Sequence, residues 1–356
     1  MKILTNIPKH SGKFYSKDCD LDGEFIYQLS LELLRNGHQI THNTNSNDID
    51  LQLVFSNKQC ENKCDAPIVQ VIDKINIPSN TKSIKDWKLS NSEMFDFFTR
   101  SSAVIYQSKF SKKIINDVFG KKEYETVIHK GTNTSLVKRC NWEFIAPSDI
   151  QKSLIGKNIE DIKWWLVIGT GADTESLCAS IQYFKKNAPK DTHLCIVGTQ
   201  ARESTILISA FDLTERCTYM GEIRKISFLN ILNSASTIIN LKYLTFCPDE
   251  IIMARAAGCH IVCSSSSGAQ EIVGKNSTIL KENLINHRSF VDSNEKFDIN
   301  LENGLIPYTV EDFKIENQTF DDSEKNISDI DISLICKKYI NIFNSIVDKR
   351  KSRDAK

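Results

Sequence analysis

The first residues in this sequence whose type and spacing could do chemistry are glycines that close an apolar run. Val167-Ile168-Gly169-Thr170-Gly171-Ala172-Asp173-Thr174 ends a segment that begins at Trp164. Glycines at a strand end let backbone N–H groups approach a phosphate, and a following helix offers the positive end of its dipole. As a dinucleotide fingerprint the run is incomplete, because Thr174 stands at the third glycine position. The next strand ends at Gly198-Thr199-Gln200, without the acid that would hold an adenine ribose. A nicotinamide enzyme is therefore disfavoured. A tight strand-to-helix turn with no ligand is the competing reading of this loop taken alone.

Eleven cysteines invite a disulfide or zinc reading, and both are weak. Cys60/Cys64 and Cys259/Cys263 are the close pairs, and neither has a second Cys/His pair at useful spacing. Cys259-His260-Ile261-Val262-Cys263 reads as a buried strand whose two sulfurs share one face. No metal site is expected, and reduced thiols fit a cytoplasmic protein. The sequons at Asn133, Asn276, Asn317 and Asn326 carry little weight in an Asn-rich chain. His10 reads as a solvated loop histidine and His129 as a structural one at a strand end.

The elements that must position these residues alternate from the start. Strands are expected at Lys2–Ile7, Gln39–Thr41, Asp50–Phe55, Ala66–Ile72, Ala103–Gln107 and Thr126–His129, and helices at Glu24–Asn36, Ser90–Arg100 and Ser108–Phe119. The stretch 131–157 breaks the rhythm and reads as a linker. The series restarts with strands at Trp164–Ile168, His193–Val197, Cys217–Met220, Thr237–Asn240 and His260–Ser264. Helices are expected at Thr174–Asn187, Arg224–Ala235 and Glu250–Ala257. A last helix, Ile332–Val347, precedes a basic tail, Lys349–Lys356, read as a frayed terminus. The fold class is α/β, with two Rossmann-like parallel-sheet domains facing a central cleft. The expected boundaries are 1–145, 146–330 and a segment 331–356 that packs back on the first domain.

Composition narrows the partners. The 45 Lys+Arg are balanced by 45 Asp+Glu, which argues against a nucleic-acid binder. Charge is uneven along the chain. The run 109–139 holds 8 basic residues against 3 acidic, and 281–331 holds 13 acidic against 5 basic. No apolar run approaches the ~18–20 residues that span a bilayer. The N-terminus turns polar too soon for a signal peptide, so a cytoplasmic location is expected. Met94-Phe95-Asp96-Phe97-Phe98 reads either as a helix face under the core or as a peripheral membrane contact.

The most informative stretch is Phe246-Cys247-Pro248-Asp249-Glu250-Ile251-Ile252-Met253-Ala254-Arg255-Ala256-Ala257-Gly258, followed by the Cys259–Ser264 strand and by Gly268-Ala269-Gln270-Glu271-Ile272-Val273. Here the chain resembles the retaining GT-B glycosyltransferases of family 4 (group 1). Those enzymes carry a helix of the type Glu-Ala-Met-Ala-x-Gly, a buried strand, and then Gly-Gly-x-x-Glu-Ile/Leu-Val. Ala66–Asp73, Ala103-Val104-Ile105-Tyr106-Gln107-Ser108-Lys109-Phe110-Ser111, Val127–Gly131 and Gly221-Glu222-Ile223 are similar to further segments of the family, in the same order. The resemblance covers most of residues 1–280.

It implies transfer of a sugar from a nucleotide-diphosphate donor to an acceptor hydroxyl, with retention and without a metal or other cofactor. It places the donor on Gly169, Thr170, Gly171, Gly198, Thr199, Gly221, Glu222, Ile223, Asp249, Glu250, Gly268 and Ala269. The acceptor, a glycan, protein or lipid-linked sugar, falls to His10, Ser11, Gly12, Lys13, Gln107, Ser108 and Lys109. Asp73 and Glu250 are the catalytic candidates. Two departures stand out. Met253 occupies the position of the family's ribose-holding Glu, and a thioether cannot accept hydroxyl hydrogen bonds as a carboxylate does. The Arg and Lys that neutralise the diphosphate are missing, since Thr170–Leu177 contains no base. Arg202, Arg224, Lys225 and Lys275 are the candidates to supply that charge. An inert binding module and a nucleotide-sugar epimerase on the same fold are the alternatives.

Overall fold

The computed structural model describes residues 1–5, 21–42, 48–55, 64–75, 84–139, 163–169, 174–199, 201–223, 225–242, 245–265, 267–282, 313–316 and 327–354. The chain divides into two compact units. The first contains Met1–Asn133 and Ser328–Lys356, and the second contains Thr134–Asn286 and Gly304–Ile327.

In the first unit six strands form one sheet: β1 (Lys2–Thr5), β2 (Gln39–Thr41), β3 (Leu51–Phe55), β4 (Ile68–Ile72), β5 (Ala103–Tyr106) and β6 (Glu125–Val127). Their order is β2-β1-β3-β4-β5-β6, and every pairing is parallel. All five residues of β3 and of β4 are buried, as expected of strands covered on both faces. On one face Leu51, Leu53 and Phe55 pack with Phe25, Leu29 and Leu33 of α1 (Leu21–Arg35). On the other, Val54 and Ile68 meet Phe97 of α2 (Ile84–Arg100). Helix α2 starts earlier than its apolar pattern suggests. Met94, Phe97 and Phe98 are buried, while Phe95 is 42% exposed, so the aromatic run is mainly a core face.

Helix α3 (Lys109–Phe119) begins with a reciprocal cap. The Ser111 backbone N–H donates to Ser108 Oγ (2.9 Å), and the Ser108 N–H donates to Ser111 Oγ (3.2 Å). Asn116 of this helix joins Tyr106 and Glu125, and Lys112 Nζ lies 2.8 Å from Glu125 Oε1. Burial pushes the Glu125 carboxyl up. Lys112, the Lys122 backbone N–H and Asn116 outweigh it and hold the group below its ordinary value.

The second unit opens with α4 (Thr134–Arg139), inside the stretch that reads as linker. It belongs to this unit because Asn233 Nδ2 donates to the Val137 carbonyl at 2.7 Å. The sheet contains β7 (Lys163–Gly169), β8 (Thr192–Gly198), β9 (Cys217–Gly221), β10 (Ala235–Asn240), β11 (His260–Ser264), β12 (Ser277–Glu282) and β13 (Phe313–Glu316). The order is β13-β12-β11-β10-β7-β8-β9, parallel except for the β12–β13 pair. Strands β12 and β13 lie beyond the elements read from sequence, as does α6 (Ala201–Ala210). The remaining helices among the described residues of this unit are α5 (Thr174–Asn187), α7 (Lys225–Ser234) and α8 (Asp249–Ala257). Burial pushes the Cys195, Cys217 and Cys259 thiols of this unit up to about 12, so they are inert packing groups.

The C-terminal helix α9 (Ile332–Asp354) returns to the first unit, where Ile335, Tyr339 and Phe343 enter the core beside α1. Its start is pinned to the end of the first series: the Thr132 N–H donates to the Ile330 carbonyl (2.9 Å) and the Ile332 N–H to the Thr132 carbonyl (3.0 Å). The basic tail is helical to Asp354 rather than frayed, and Lys349 Nζ lies 3.3 Å from the centroid of the Tyr124 ring. Among the described residues no helix is long and apolar enough to cross a membrane.

Truncating Phe343 to Ala empties a fully buried position, and the expected loss is about 3–5 kcal/mol, read as a lower urea midpoint. Glu125 has a separate signature. Its folded value lies below its unfolded one, so its contribution is present above the ordinary carboxylate value and is lost as pH falls through the folded value. Urea unfolding between about pH 5 and pH 3 is expected to show a shallower pH dependence in Glu125→Gln than in the unaltered chain.

Candidate functional site

In the second sheet the strand order reverses between β7 and β10. From β7 the chain proceeds to β8 and β9 on one side, and later to β10, β11 and β12 on the other. Open parallel sheets bind ligands at the carboxyl edge of such a reversal. Ile239 of β10 lies level with Val167 of β7, so Asn240, Leu241 and Lys242 continue along the end of β7 at Gly169.

Glycine is required on the other side of β7 for a backbone reason. Gly198 has φ +138°, and a Cβ there would stand 1.9 Å from the Gly169 carbonyl oxygen. The Thr199 N–H donates to that same carbonyl at 2.9 Å, and Tyr219 Oη donates to the Gly198 carbonyl. Gly169, Gly198 and Thr199 thus lock the ends of β7 and β8 together. Burial, helped by the Glu222 and Glu203 carboxylates, raises the Tyr219 pKa and keeps this hydroxyl a donor. Gly221 has φ +72° and ends β9, with Glu222 exposed and Ile223 half-buried behind it.

Asp249 and Glu250 form the first turn of α8, and both are buried. Glu250 Oε1 accepts from Asn240 Nδ2 at 3.1 Å and from Lys242 Nζ at 2.9 Å. The Lys242 side chain is 18% exposed and that of Glu250 10%, so this is a mostly desolvated ion pair. Around it, Ser264 Oγ donates to the Lys242 carbonyl (3.2 Å), and the Lys242 N–H donates to Asn240 Oδ1 (3.4 Å). The short turn that follows β11 uses its own amides: Gly268 N–H donates to the Thr245 carbonyl (2.7 Å) and Ala269 N–H to Ser267 Oγ (3.2 Å). Gly268 and Ala269 are therefore held beside the start of α8 by internal hydrogen bonds.

Lys242 is the group that sequence reasoning missed. It lies eight residues before Glu250 in no motif of its own kind, and the signal available was a base directly after an apolar strand. Of the bases expected to supply positive charge, Lys275 is at the wrong end of the sheet. It precedes β12, whose Ser277 pairs with Ile261 at the amino end of β11. Arg202 is exposed in the first turn of α6, and Arg224 and the Lys225 side chain lie outside the described residues. Met253 is 2% exposed, inside the core of the unit rather than at its edge. Thr170 and Gly171 also lie outside the described residues.

The first sheet presents its own carboxyl edge. Asp73 follows β4, is half-buried, and accepts the Lys74 N–H at 2.9 Å. Gln107 and Ser108 follow β5 and are buried, with the Ser108 side chain engaged in the α3 cap, while Lys109 is exposed. His10, Ser11, Gly12 and Lys13 lie outside the described residues.

No protein-family model matches the sequence, and no curated protein does. Solved structures do match. A glycosyltransferase from Rickettsia africae superposes at TM-score 0.58 and 14% identity, with 97% of this chain and 98% of that one covered. AviGT4, a glycosyltransferase of avilamycin A biosynthesis, matches at TM-score 0.57 and 10% identity, with 98% of both chains covered. HepE from Anabaena, solved in complex with UDP-glucose, matches at 0.55 and 14%, covering 99% of this chain and 100% of that one. The chain has the GT-B fold. Its two Rossmann-like units correspond to that architecture, and the second sheet carries one antiparallel strand, β13.

Within this GT-B chain, the glycine at 198 is set by backbone contact. Gly198→Ala is expected to destabilise the second unit by about 2 kcal/mol or more, since the clash is with a carbonyl that cannot rotate away. Thermal unfolding of the variant against the unaltered chain checks this, and an unchanged midpoint would refute the contact.

Proposed function

We propose that this GT-B protein transfers a sugar from a nucleotide-diphosphate donor to an acceptor hydroxyl, with retention of configuration and without a metal. The observation that supports the reading most is the match over nearly the whole chain to glycosyltransferases, one of them solved with UDP-glucose. A second support is chemical: the reversal point of the second sheet gathers a carboxylate, an amide and an ammonium around one edge.

In this reading the second unit takes the donor. Gly169, Thr170 and Gly171 pass beside the diphosphate, Gly221–Ile223 beside the base, and Asp249–Glu250 beside the hydroxyls and phosphates. The departing nucleoside diphosphate gains negative charge as the glycosidic bond breaks, and fixed positive charge at that edge lowers the barrier. The first unit takes the acceptor, a glycan, protein or lipid-linked sugar, with Asp73 accepting a hydrogen bond from a reacting hydroxyl. Gln107, Ser108 and Lys109 belong to the same edge, as do His10–Lys13 in the reading from sequence. The protein works in the cytoplasm in this proposal.

A binding module without catalysis is the second reading. It is favoured by Met253, whose burial leaves no carboxylate at the position where the family holds the ribose. Calorimetric titration with UDP, UDP-glucose, GDP-mannose and ADP-glucose tests the donor site, and saturable binding of at least one is expected. Silence across the panel would falsify the transferase reading. For a donor that binds, NMR of products separates the two readings: a new glycoside supports transfer, and unchanged donor with every acceptor class supports the binding module.

A further inference from the structure

We infer that Lys242 is the cation that receives the donor's diphosphate, and that Glu250 is an internal anion which holds that cation in place until the diphosphate arrives. The inference rests on the donor site proposed above and assigns a role to a residue outside every motif of the chain. Three observations carry it.

The loop that should supply positive charge does not. Between Thr170 and Leu177 the sequence contains Asp173 and Glu175 and no base. A diphosphate placed at the end of β7 finds no base in that segment of the sequence, so its neutralising charge must come from another element. Lys242 is placed to do this. It continues β10, which pairs with β7 in parallel, and it follows the reversal point at which such sheets bind ligands. Lys275 is at the opposite edge, and Arg202 is an exposed side chain in the first turn of α6, which follows β8.

The Lys242 ammonium is also held as a binding group is held. Its partner Glu250 is fixed by Asn240, and its backbone is fixed by Asn240 and Ser264. Asn240 is 4% exposed and Ser264 fully buried, so the support is rigid. Preorganised charge in a partly dry setting acts on a ligand far more strongly than a solvated lysine does. An ammonium carries three N–H donors and can bridge a carboxylate and a phosphate oxygen.

The role of Glu250 follows from sign. It lies 2.9 Å from the ammonium and neutralises it while no donor is bound. Removing that negative charge while keeping the shape raises the positive potential that Lys242 presents to the diphosphate. The two partners of one ion pair therefore have opposite effects on diphosphate affinity. A tie that served stability alone would make both substitutions harmful and neither selective.

The test measures, by titration calorimetry at low and high salt, the affinity of a nucleoside diphosphate and of the matching nucleoside. UDP with uridine is the first pair, then GDP with guanosine and ADP with adenosine. The readout is the ratio of the two affinities, because the nucleoside reports an intact base site. In Lys242→Met the preference for the diphosphate is expected to fall roughly tenfold or more, with nucleoside affinity unchanged. In Glu250→Gln it is expected to rise, by roughly threefold at low salt, and to shrink as salt screens the attraction between the ammonium and the incoming diphosphate. Lys242→Arg keeps the charge and is expected to stay near the unaltered ratio. Should Lys242→Met fail to fold, the Gln and Arg variants decide by the same ratio. Equal ratios in all variants overturn the inference and leave the donor site standing. No binding of any nucleotide by the unaltered chain overturns the donor site and this inference together.

Discussion

The parallel pairing of β7 with β8 on one side and β10 on the other is the constraint on which the second unit depends. A parallel strand can reach its neighbour only by a crossover, and the crossover helices cover the faces of the sheet. Side chains on those faces must then be apolar. Leu166, Leu194, Ile196 and Ile238 are buried without a polar atom among them. Polar chemistry is left with the edges, and the carboxyl edge is where each strand hands over to a helix N-terminus. That is why Asn240, Lys242 and Glu250, from a strand end, a loop and a helix start, converge within hydrogen-bond distance. The Gly169–Gly198 contact belongs to the same logic. Two strand ends approach so closely that only a residue without a Cβ fits.

The first unit follows the same rule with a different closure. Its sheet is covered on one face by α1, and that cover is completed by a helix from the other end of the chain. Tyr339 and Phe343 of α9 meet Phe25 of α1 in a tilted aromatic cluster, with centroids 6.2 Å apart for Phe25 and Tyr339. This packing joins residues more than three hundred positions apart in sequence. The unit is therefore completed only after the second unit's residues have been passed, and its closure requires a long excursion of the chain. Gly131 fits the same seam, since a Cβ there would lie 2.8 Å from Ile335 Cγ1.

Much of this was legible in the sequence, and the omissions have physical reasons. Strands that are apolar at nearly every position, such as Leu51–Phe55 and His193–Val197, announce a sheet buried on both faces. Ala201–Ala210 did not announce a helix, because Ile206-Leu207-Ile208 lacks helical spacing and Ser204-Thr205 favours other conformations. Helix α4 was hidden because six residues are too few to show a period. The basic end of α9 looked like a solvated tail because its stabilising contact, Lys349 on Tyr124, lies far off in sequence. The site showed a similar divide. Glycines at strand ends and the Asp249–Glu250 pair could be found from their order along the chain. Lys242 could not, since its meaning comes from Glu250 one helix start away and from the strand order, which no local pattern states.

The burial of Met253 bears on the glutamate that the sequence resemblance leads one to expect at this position. A carboxylate at this position would have to reach the sheet edge from a site that is 2% exposed here, surrounded by Ile251, Ile252 and Ala254, themselves buried. Burying an ionised group without partners is strongly unfavourable, so the chain has packed a thioether there and the helix is consistent with its neighbours. The carboxylates have instead been gathered into the first turn of α8, where Asn240 and Lys242 satisfy Glu250. Loss at one position and placement of charge at another are then parts of one arrangement. The helix gives up a partner in its middle and holds a positioned acid–base pair at its start.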